Sequence, residues 1–591
     1  MGKTNKIPAK ENDIFLFIFL FFIIVFGYFC FLGNYVLYFQ ETQSLFIFSG
    51  DFLHQRLLKP GGLLEFAGRF LKQFYAGRVE GSLILASVLS LVAYIFHRIN
   101  RRLLPDGSFT LPLILVPSSL LMLMQANYYH LMEYNLGFMM VLAFYLFFIS
   151  SSGKWRRIAV LILFPLFYYI AGGYAMIFAG LYIIHMLFKE NGRNKFYQIL
   201  ILLILAGLSF LVSVRMLFLE PSANLIFYPL PWLEDKSYRT AFIFLTAFVV
   251  LYPLICNIAS RYGKATLNTR NFSLFEAFII LALSIIIILR IYNPQTSRVV
   301  EIQKLVFAGK YSEAASLHER KPSLNLIGQY FYNYALAESG QLCDRMFRGR
   351  QDFGYSALIL PWGDVHLDRG AYFYYAVGLA NEAHRWAYEE MTVYGYRPGN
   401  LKMLAKTSLI NGDCLMARKY LSILEKTIYY RKWAKDLLKL ADNPELIDSH
   451  PELGAKRKLL PKKNFFVQFN EPQNNLPLIL EGNPDNRVAF EYYLAGLLLT
   501  KNVEEAVANV KKMKAMGYTK IPRHLEEAVM IIYNSRQIFP DVGGLPISAD
   551  TQSRFSQYFT AYIAARQNPV LLKTKMTEKF SDTFWYYFHF K

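Results

Sequence analysis

An all-α chain in two halves, a polytopic bundle of about nine transmembrane helices followed by a soluble helical-repeat domain, is what three features of the sequence predict. Apolar residues make up 54% of the 591 positions, with 51 Phe and 41 Tyr, and they crowd into the first half. Apolar runs of spanning or near-spanning length recur there. Beyond residue 292 the pattern turns to amphipathic helical periodicity, with Gly or Pro punctuation about every fifteen residues.

The length exceeds what one core supports, so two folding units are expected, residues 1–292 in the membrane and 293–591 outside it. The formal charge of +20 sits largely in short basic loops between apolar runs. There it acts as a topology determinant, and nucleic acid is not the expected partner. Cys30 and Cys256 lie inside apolar runs, whereas Cys343 and Cys414 lack both CxxC spacing and neighbouring His. Neither a zinc site nor a disulfide framework follows, although a Cys343–Cys414 bridge is open to an extracytoplasmic half.

The first apolar run, Ile14 to Tyr38, follows the basic start Met1 to Lys10 and is too long for a cleaved signal; it reads as a retained anchor. Further spans are expected at 81–97, 109–126, 135–151, 157–171, 173–188, 197–216, 240–260 and 274–292. The stretch 157–188 is long for one helix and short for two. Pro165 and Gly172-Gly173 favour a break, and a hairpin keeps Lys154, Arg156 and Arg157 on the same side as Lys189, Arg193 and Lys195. The basic loops, with Lys3, Lys6, Lys10, Arg98, Arg101, Arg102, Arg261, Lys264 and Arg270, then all lie inside. The positive-inside rule gives a cytoplasmic N-terminus, and nine crossings carry the second half to the periplasmic face of a bacterial inner membrane.

In the second half Gly309 with Ala314, Gly378 with Ala383 and Gly412 with Ala417 each pair a glycine turn with an alanine five residues on. Gly378 and Gly412 stand 34 apart, the tetratricopeptide period. The glycine permits a tight turn between helices, and the alanine lets the next helix approach closely. Lys501 with Ala506 looks like a degenerate copy. A stretch rich in Pro, Asn and Lys at 442–486 is expected to be a linker or insertion, and a non-repetitive helical bundle is the competing reading.

Ionisable residues beside spans are the first place to look for chemistry. Glu41 follows the first span in Gln40-Glu41-Thr42. The loop after it carries two amphipathic stretches, 45–58 and 63–75, separated by Lys59-Pro60-Gly61-Gly62. Lying in the interface plane, they would turn Arg56, Lys59, Arg69 and Lys72 toward phosphates. The next outer loop holds His130 and Glu133. This layout resembles the GT-C superfamily of multi-span glycosyltransferases, which use polyprenyl-phosphate sugars.

The GT-C resemblance covers about residues 11–292 and implies that Glu41 acts as general base on an acceptor hydroxyl, that Glu133 or His130 positions the acceptor, and that Arg215 neutralises the leaving phosphate, with Arg56 and Lys59 near it. The acceptor would be a glycan or a protein. The chain departs from many GT-C members in lacking a paired-acid motif at Gln40-Glu41-Thr42. A wider resemblance, carried by Lys59-Pro-Gly-Gly, Asn483-Pro-Asp-Asn-Arg-Val-Ala-Phe-Glu-Tyr and Thr583-Phe-Trp-Tyr-Tyr, is to an uncharacterised bacterial membrane-protein family with a helical-repeat tail. It implies no activity.

No cofactor is called for. Asp352-Phe-Gly lacks any kinase context, and Asp364-Val-His366-Leu-Asp368 reads as a polar loop rather than a metal site. The alternative to an enzyme is a noncatalytic scaffold, a membrane anchor whose repeat domain binds an envelope protein. A transporter ranks third, since no inverted repeat is visible.

Overall fold

The computed structural model describes residues 11–104, 111–150, 154–190, 192–218, 221–231, 235–262 and 270–591; Lys3, Lys6, Lys10 and Lys264 of the basic loops lie outside them. All the described elements are helices. The chain divides into two compact units, Met1–Asn293 with Lys426–Tyr429, and Pro294–Glu425 with Tyr430–Lys591.

The first unit runs α1 (Glu11–Phe31), α2 (Asn34–Thr42), α3 (Gly50–Leu57), α4 (Gly62–Lys72), α5 (Arg78–Leu103), α6 (Leu111–Gln125), α7 (Met132–Ile149), α8 (Lys154–Ala171), α9 (Tyr174–Lys189), α10 (Asn194–Val212), α11 (Ser222–Phe227), α12 (Lys236–Tyr262) and α13 (Arg270–Ile291). Six of these helices are long and apolar enough to cross a membrane: α1, α5, α7, α10 with its terminal turn, α12 and α13. Three shorter apolar helices, Pro112–Gln125, Ile158–Ala171 and Tyr174–Lys189, occupy the other expected positions. At 1.5 Å per residue each falls short of a hydrocarbon core of about 30 Å, so length alone does not make them spans.

The first apolar run is not one helix. Gly33 separates α1 from α2, and a Cβ there would lie 2.7 Å from the Tyr28 ring, so the chain can turn only with no side chain at that point. The stretch 157–188 likewise forms two helices, parted at Gly172 with φ +59°. In the first long loop Leu45–Phe48 is not helical, and α3 begins after the Ser49 cap, whose hydroxyl accepts from the Phe52 amide at 3.2 Å.

Side-chain and backbone bonds sort the loops of this unit to two ends. At one end the Gln40 amide donates to the His130 carbonyl, Gly61 N–H to the Tyr169 carbonyl, and Gly173 N–H to the Tyr228 carbonyl. At the other, Arg101 pairs with Glu11, and Lys189 Nζ donates to the Leu103 carbonyl at 3.2 Å. Between the ends lies a continuous core of buried Phe, Leu, Val and Tyr, including Phe21, Leu89, Val141, Phe178 and Val249.

The second unit comprises α14 (Pro294–Phe307), α15 (Tyr311–Arg320), α16 (Leu326–Glu338), α17 (Leu342–Arg345), α18 (Ala371–Ala376), α19 (Ala380–Tyr394), α20 (Pro398–Ile410), α21 (Cys414–Glu425), α22 (Arg431–Asp442), α23 (Leu453–Lys458), α24 (Asn475–Gly482), α25 (Arg487–Leu499), α26 (Val503–Val510), α27 (Arg523–Arg536), α28 (Ala549–Ala565), α29 (Pro569–Phe580) and α30 (Phe584–Phe590). From α18 to α22 each helix packs on the next.

Gly309, Gly340, Gly378 and Gly412 all adopt positive φ, from +64° to +81°. After each, the next amide donates across the turn, as Lys310 to the Leu305 carbonyl and Asp413 to the Ser408 carbonyl, at 2.8–2.9 Å. This satisfies helix-end carbonyls that would otherwise be orphaned. Lys501, at φ +60°, makes the same turn without glycine. Ala314, Ala383, Ala417 and Ala506 are completely buried.

The stretch 442–486 carries packed clamps at Lys456–Arg457 and Asn483–Asn486, while 462–471 is largely exposed. Lys456 caps α18 through the Ala376 carbonyl at 3.2 Å, and Arg457 caps α20 through the Leu409 and Ile410 carbonyls. Buried Asn483 donates to the Lys458 and Leu460 carbonyls, and buried Asn486 to those of Val377 and Leu459. The Asn-Pro-Asp-Asn motif is therefore a structural clamp. Cys343 and Cys414 are both free thiols.

Candidate functional site at one end of the helical bundle

The loop end of the first unit holds two polar networks, and α4 is central to one of them. Its sequence GLLEFAGRFLK places Glu65, Gly68 and Lys72 at intervals of three and four, hence on one face, and all three are buried. That face packs on α7 and α8. Contact with α7 is close because position 68 is glycine: a Cβ there would stand 2.7 Å from Glu133 Oε2. Lys72 does not face phosphates. Its Nζ lies 3.3 Å from both Glu133 oxygens, with the two side chains only 3% and 5% exposed. Burial pulls the Lys72 pKa down while the Glu133 charge pulls it up, and burial prevails.

Around Glu65 the balance differs. Arg69 Nε lies 2.8 Å away, Arg56 Nε 3.1 Å and Lys59 Nζ 3.2 Å, and the Tyr228 hydroxyl donates a hydrogen bond. Burial would raise the carboxyl pKa, but Arg69, Lys59, Arg56 and Tyr228 together hold it down at about 2. Three cations meet one carboxylate, so the cluster carries two uncompensated positive charges. Unlike Lys72, its basic side chains remain 17–28% exposed.

Three loops have to meet for this to form. Gly61, at φ +80°, sits against Pro229, where a Cβ would lie 2.7 Å from Cδ. A Cβ on Gly172 would lie 2.2 Å from the Tyr228 carbonyl oxygen. Tyr169 donates its hydroxyl to the Leu57 carbonyl at 3.0 Å, and Lys59 Nζ rests 3.7 Å from the centre of the Tyr228 ring. The Lys59-Pro-Gly-Gly turn is thus the point where the chain can approach two other loops without side-chain obstruction.

The second network is neutral. His130 is fully buried, which lowers its pKa to about 4 and leaves it uncharged near neutral pH. Asn135 donates to Gln125 Oε1 at 2.7 Å, so its own oxygen is free to accept from His130 Nε2 at 2.9 Å. That assigns the proton to Nε2, and Nδ1 then accepts from the Tyr238 hydroxyl at 2.6 Å. Gln125 donates to Gln40 Oε1, and Gln40 donates to the Tyr128 and His130 carbonyls. The chain of donors and acceptors closes on itself and ties α2, α6, α7 and α12 together.

Of the residues singled out by sequence, Glu41 lies buried on α2 immediately after Gln40. Glu133 is engaged by Lys72 and His130 by two hydrogen bonds, while Arg56 and Lys59 meet at Glu65. Arg215 is exposed on the turn Ser213–Leu217 and stands outside both networks. Glu65 and Tyr228 were not among the candidates. The i, i+4 pair Glu65/Arg69 is a legible signal; Tyr228, far away in sequence, is not. Gln40, Gln125 and Asn135 could be found as uncharged polar residues at the ends of apolar runs. Among the described residues no group of three His, Cys, Asp or Glu side chains is arranged to hold a metal ion.

Among the described residues all the elements are helices, and six apolar helices of membrane-spanning length with a polar cluster at one end of the bundle point to a class, the helical membrane protein. The model of the family of unknown function DUF6057 matches residues 11–591, and the chain belongs to that family. No curated protein and no solved structure matches it.

Proposed function

We propose that the protein is a GT-C-like glycosyltransferase that takes a polyprenyl-phosphate-linked sugar at the periplasmic face of the inner membrane. The observation that carries this reading is the cationic cluster of Arg56, Lys59 and Arg69, whose charge exceeds that of Glu65. It suits a phosphate that gains negative charge as the sugar leaves. Glu41 removes the proton from the acceptor hydroxyl, whose oxygen bonds to the anomeric carbon with inversion as the lipid phosphate departs from the opposite face. Arg215 meets the phosphate from the end of α10.

The reading needs α6, α8 and α9 to cross the membrane although they are short. The bonds that gather described loops at two ends support this, with the turns after α6 and α8 at one end and the start of α1 and the ends of α5 and α9 at the other. Nine crossings from a cytoplasmic N-terminus then carry the second unit to the periplasm, where its glycine turns and buried alanines suit a tetratricopeptide-like stack. Glu41→Gln should abolish sugar transfer in reconstituted full-length protein that remains folded and inserted; undiminished transfer removes Glu41 from the mechanism.

A second reading, a noncatalytic scaffold holding an envelope protein, is favoured by one specific feature: His130 and Glu133 are consumed by internal partners. Under it, Glu41→Gln and Arg69→Gln chains both retain the bound envelope partner, and no lipid-linked sugar is turned over.

A further inference from the structure

A group of exposed apolar side chains gathers at the tip of the α28–α29 hairpin. Val570 is 78% exposed, and Phe559, Ile563 and Leu571 are each about two-fifths exposed. These four residues flank the turn Arg566-Gln567-Asn568, which is closed by the Asn568 cap of α29. Nothing in the fold requires them outside. Buried Leu572, Met576 and Phe580 on the other face of α29 already join Tyr558 and Trp585 in a core of their own. The exposed set is therefore additional to what holds the hairpin together.

Charge indicates what the tip meets. Arg566, Lys573 and Lys575 lie nearest it, all exposed, while the acid Glu578 stands about two turns further along α29. A shallow groove of about 560 Å³ runs along α29 past Pro569, Val570, Lys573 and Thr577. Apolar residues projecting at a turn, ringed by lysine and arginine, suit the boundary between acyl chains and anionic headgroups. A protein groove would instead be expected to offer paired polar groups around its apolar centre.

We propose that the α28–α29 tip is a second membrane-contact element, which inserts Ile563, Val570 and Leu571 into the interface of an anionic lipid surface, with Arg566 and Lys573 on the headgroups. This does not depend on any enzymatic role. It gives the chain two attachments to lipid, one through its apolar helices and one through the α28–α29 tip of the other unit.

The test uses the full-length chain in neutral phosphatidylcholine nanodiscs, with Cys414→Ser and Val570→Cys carrying an environment-sensitive fluorophore. Vesicles of phosphatidylglycerol with brominated acyl chains are added in one arm. In the other, the same lipid is built into the disc. The expected result is a blue-shifted emission that bromine quenches in at least one arm, with the arm reporting which membrane is touched. Lys573→Gln should weaken the vesicle titration about fivefold, since one lysine near an anionic surface contributes about 1 kcal/mol. An Ile563→Cys label should report the same insertion. Unquenched emission in both arms at both positions overturns the proposal. So does a shift that depends on protein concentration and not on lipid, which assigns the tip to a second copy of the chain.

Discussion

Two carboxylates meet the same helix, α4, and they are used in opposite ways. Glu133 takes one partner, Lys72, and the pair is sealed from water. Glu65 takes three cations and leaves them partly in solvent. One pairing is balanced and closed; the other is unbalanced and open. The first can only hold α4 against α7, because nothing can reach it and no charge is left over. The second keeps net positive charge where an anion can approach. Proximity to the loop end of the bundle therefore does not by itself mark an anion site; surplus charge and access do.

The sharpest way to break this comparison is to remove one member of the closed pair. Lys72→Met leaves Glu133 buried without its counter-charge and should cost about 3–5 kcal/mol, read as a large fall in melting temperature in detergent. Pairing it with Glu133→Leu should restore much of the loss. If the single variant is as stable as the parent, the pair is not sealed and the contrast fails.

The neutral network extends the closed side of the comparison. Asn135→Leu strands His130 Nε2–H and Gln125 Oε1 and should cost about 1–3 kcal/mol by the same measurement. His130 also sets a pH response. Because burial lowers its pKa to about 4 from 6.5, its contribution is complete above 6.5 and is lost as pH falls through 4. His130→Leu should flatten that part of the stability profile.

Glu65 titrates lower. Held at about 2 instead of 4.5, its carboxylate stabilises fully above 4.5 and loses that contribution as pH falls through 2. The stability gap between the parent and Glu65→Gln should therefore be constant from pH 7 to 5 and narrow only below about 4.5. A gap that narrows near neutrality would mean the three cations do not hold the group.

The smallest effect on stability is expected from Arg69→Gln, at most about 1 kcal/mol, because Arg56 and Lys59 remain on Glu65 and the site is partly solvated. Under the proposed function the substitution should instead strongly weaken retention of a polyprenyl-phosphate lipid. An Arg69→Gln chain that is much less stable, yet binds the lipid normally, would place the cluster with the closed pair.

The Gly309, Gly378 and Gly412 turns were legible in the sequence because a left-handed residue at a helix end is a local requirement that glycine meets without strain. Ala314, Ala383 and Ala417 were legible for a related reason: small size at a fixed offset signals close approach. The two basic residues Arg56 and Lys59 could be named, but Lys72 could not be told apart from them. All lie in one loop, and only the position of Glu133 on a different helix pairs one of them off. The clamp at Asn483 and Asn486 was not legible, because Asn usually marks exposed turns, whereas both side chains here donate to carbonyls of separate elements.

By itself the sequence determined what depends on neighbours along the chain: the apolar helices, their interruption at Gly172-Gly173, the helical second half and its glycine turns. Backbone dihedrals and hydrophobic periodicity are short-range properties, so a linear reading reaches them. Tertiary structure alone decided which charges cancel. The meeting of Lys59, Gly172 and Tyr228, and of Gln40, His130 and Tyr238, joins residues far apart along the chain, and electrostatic balance is a sum over whatever the fold brings within a few ångströms.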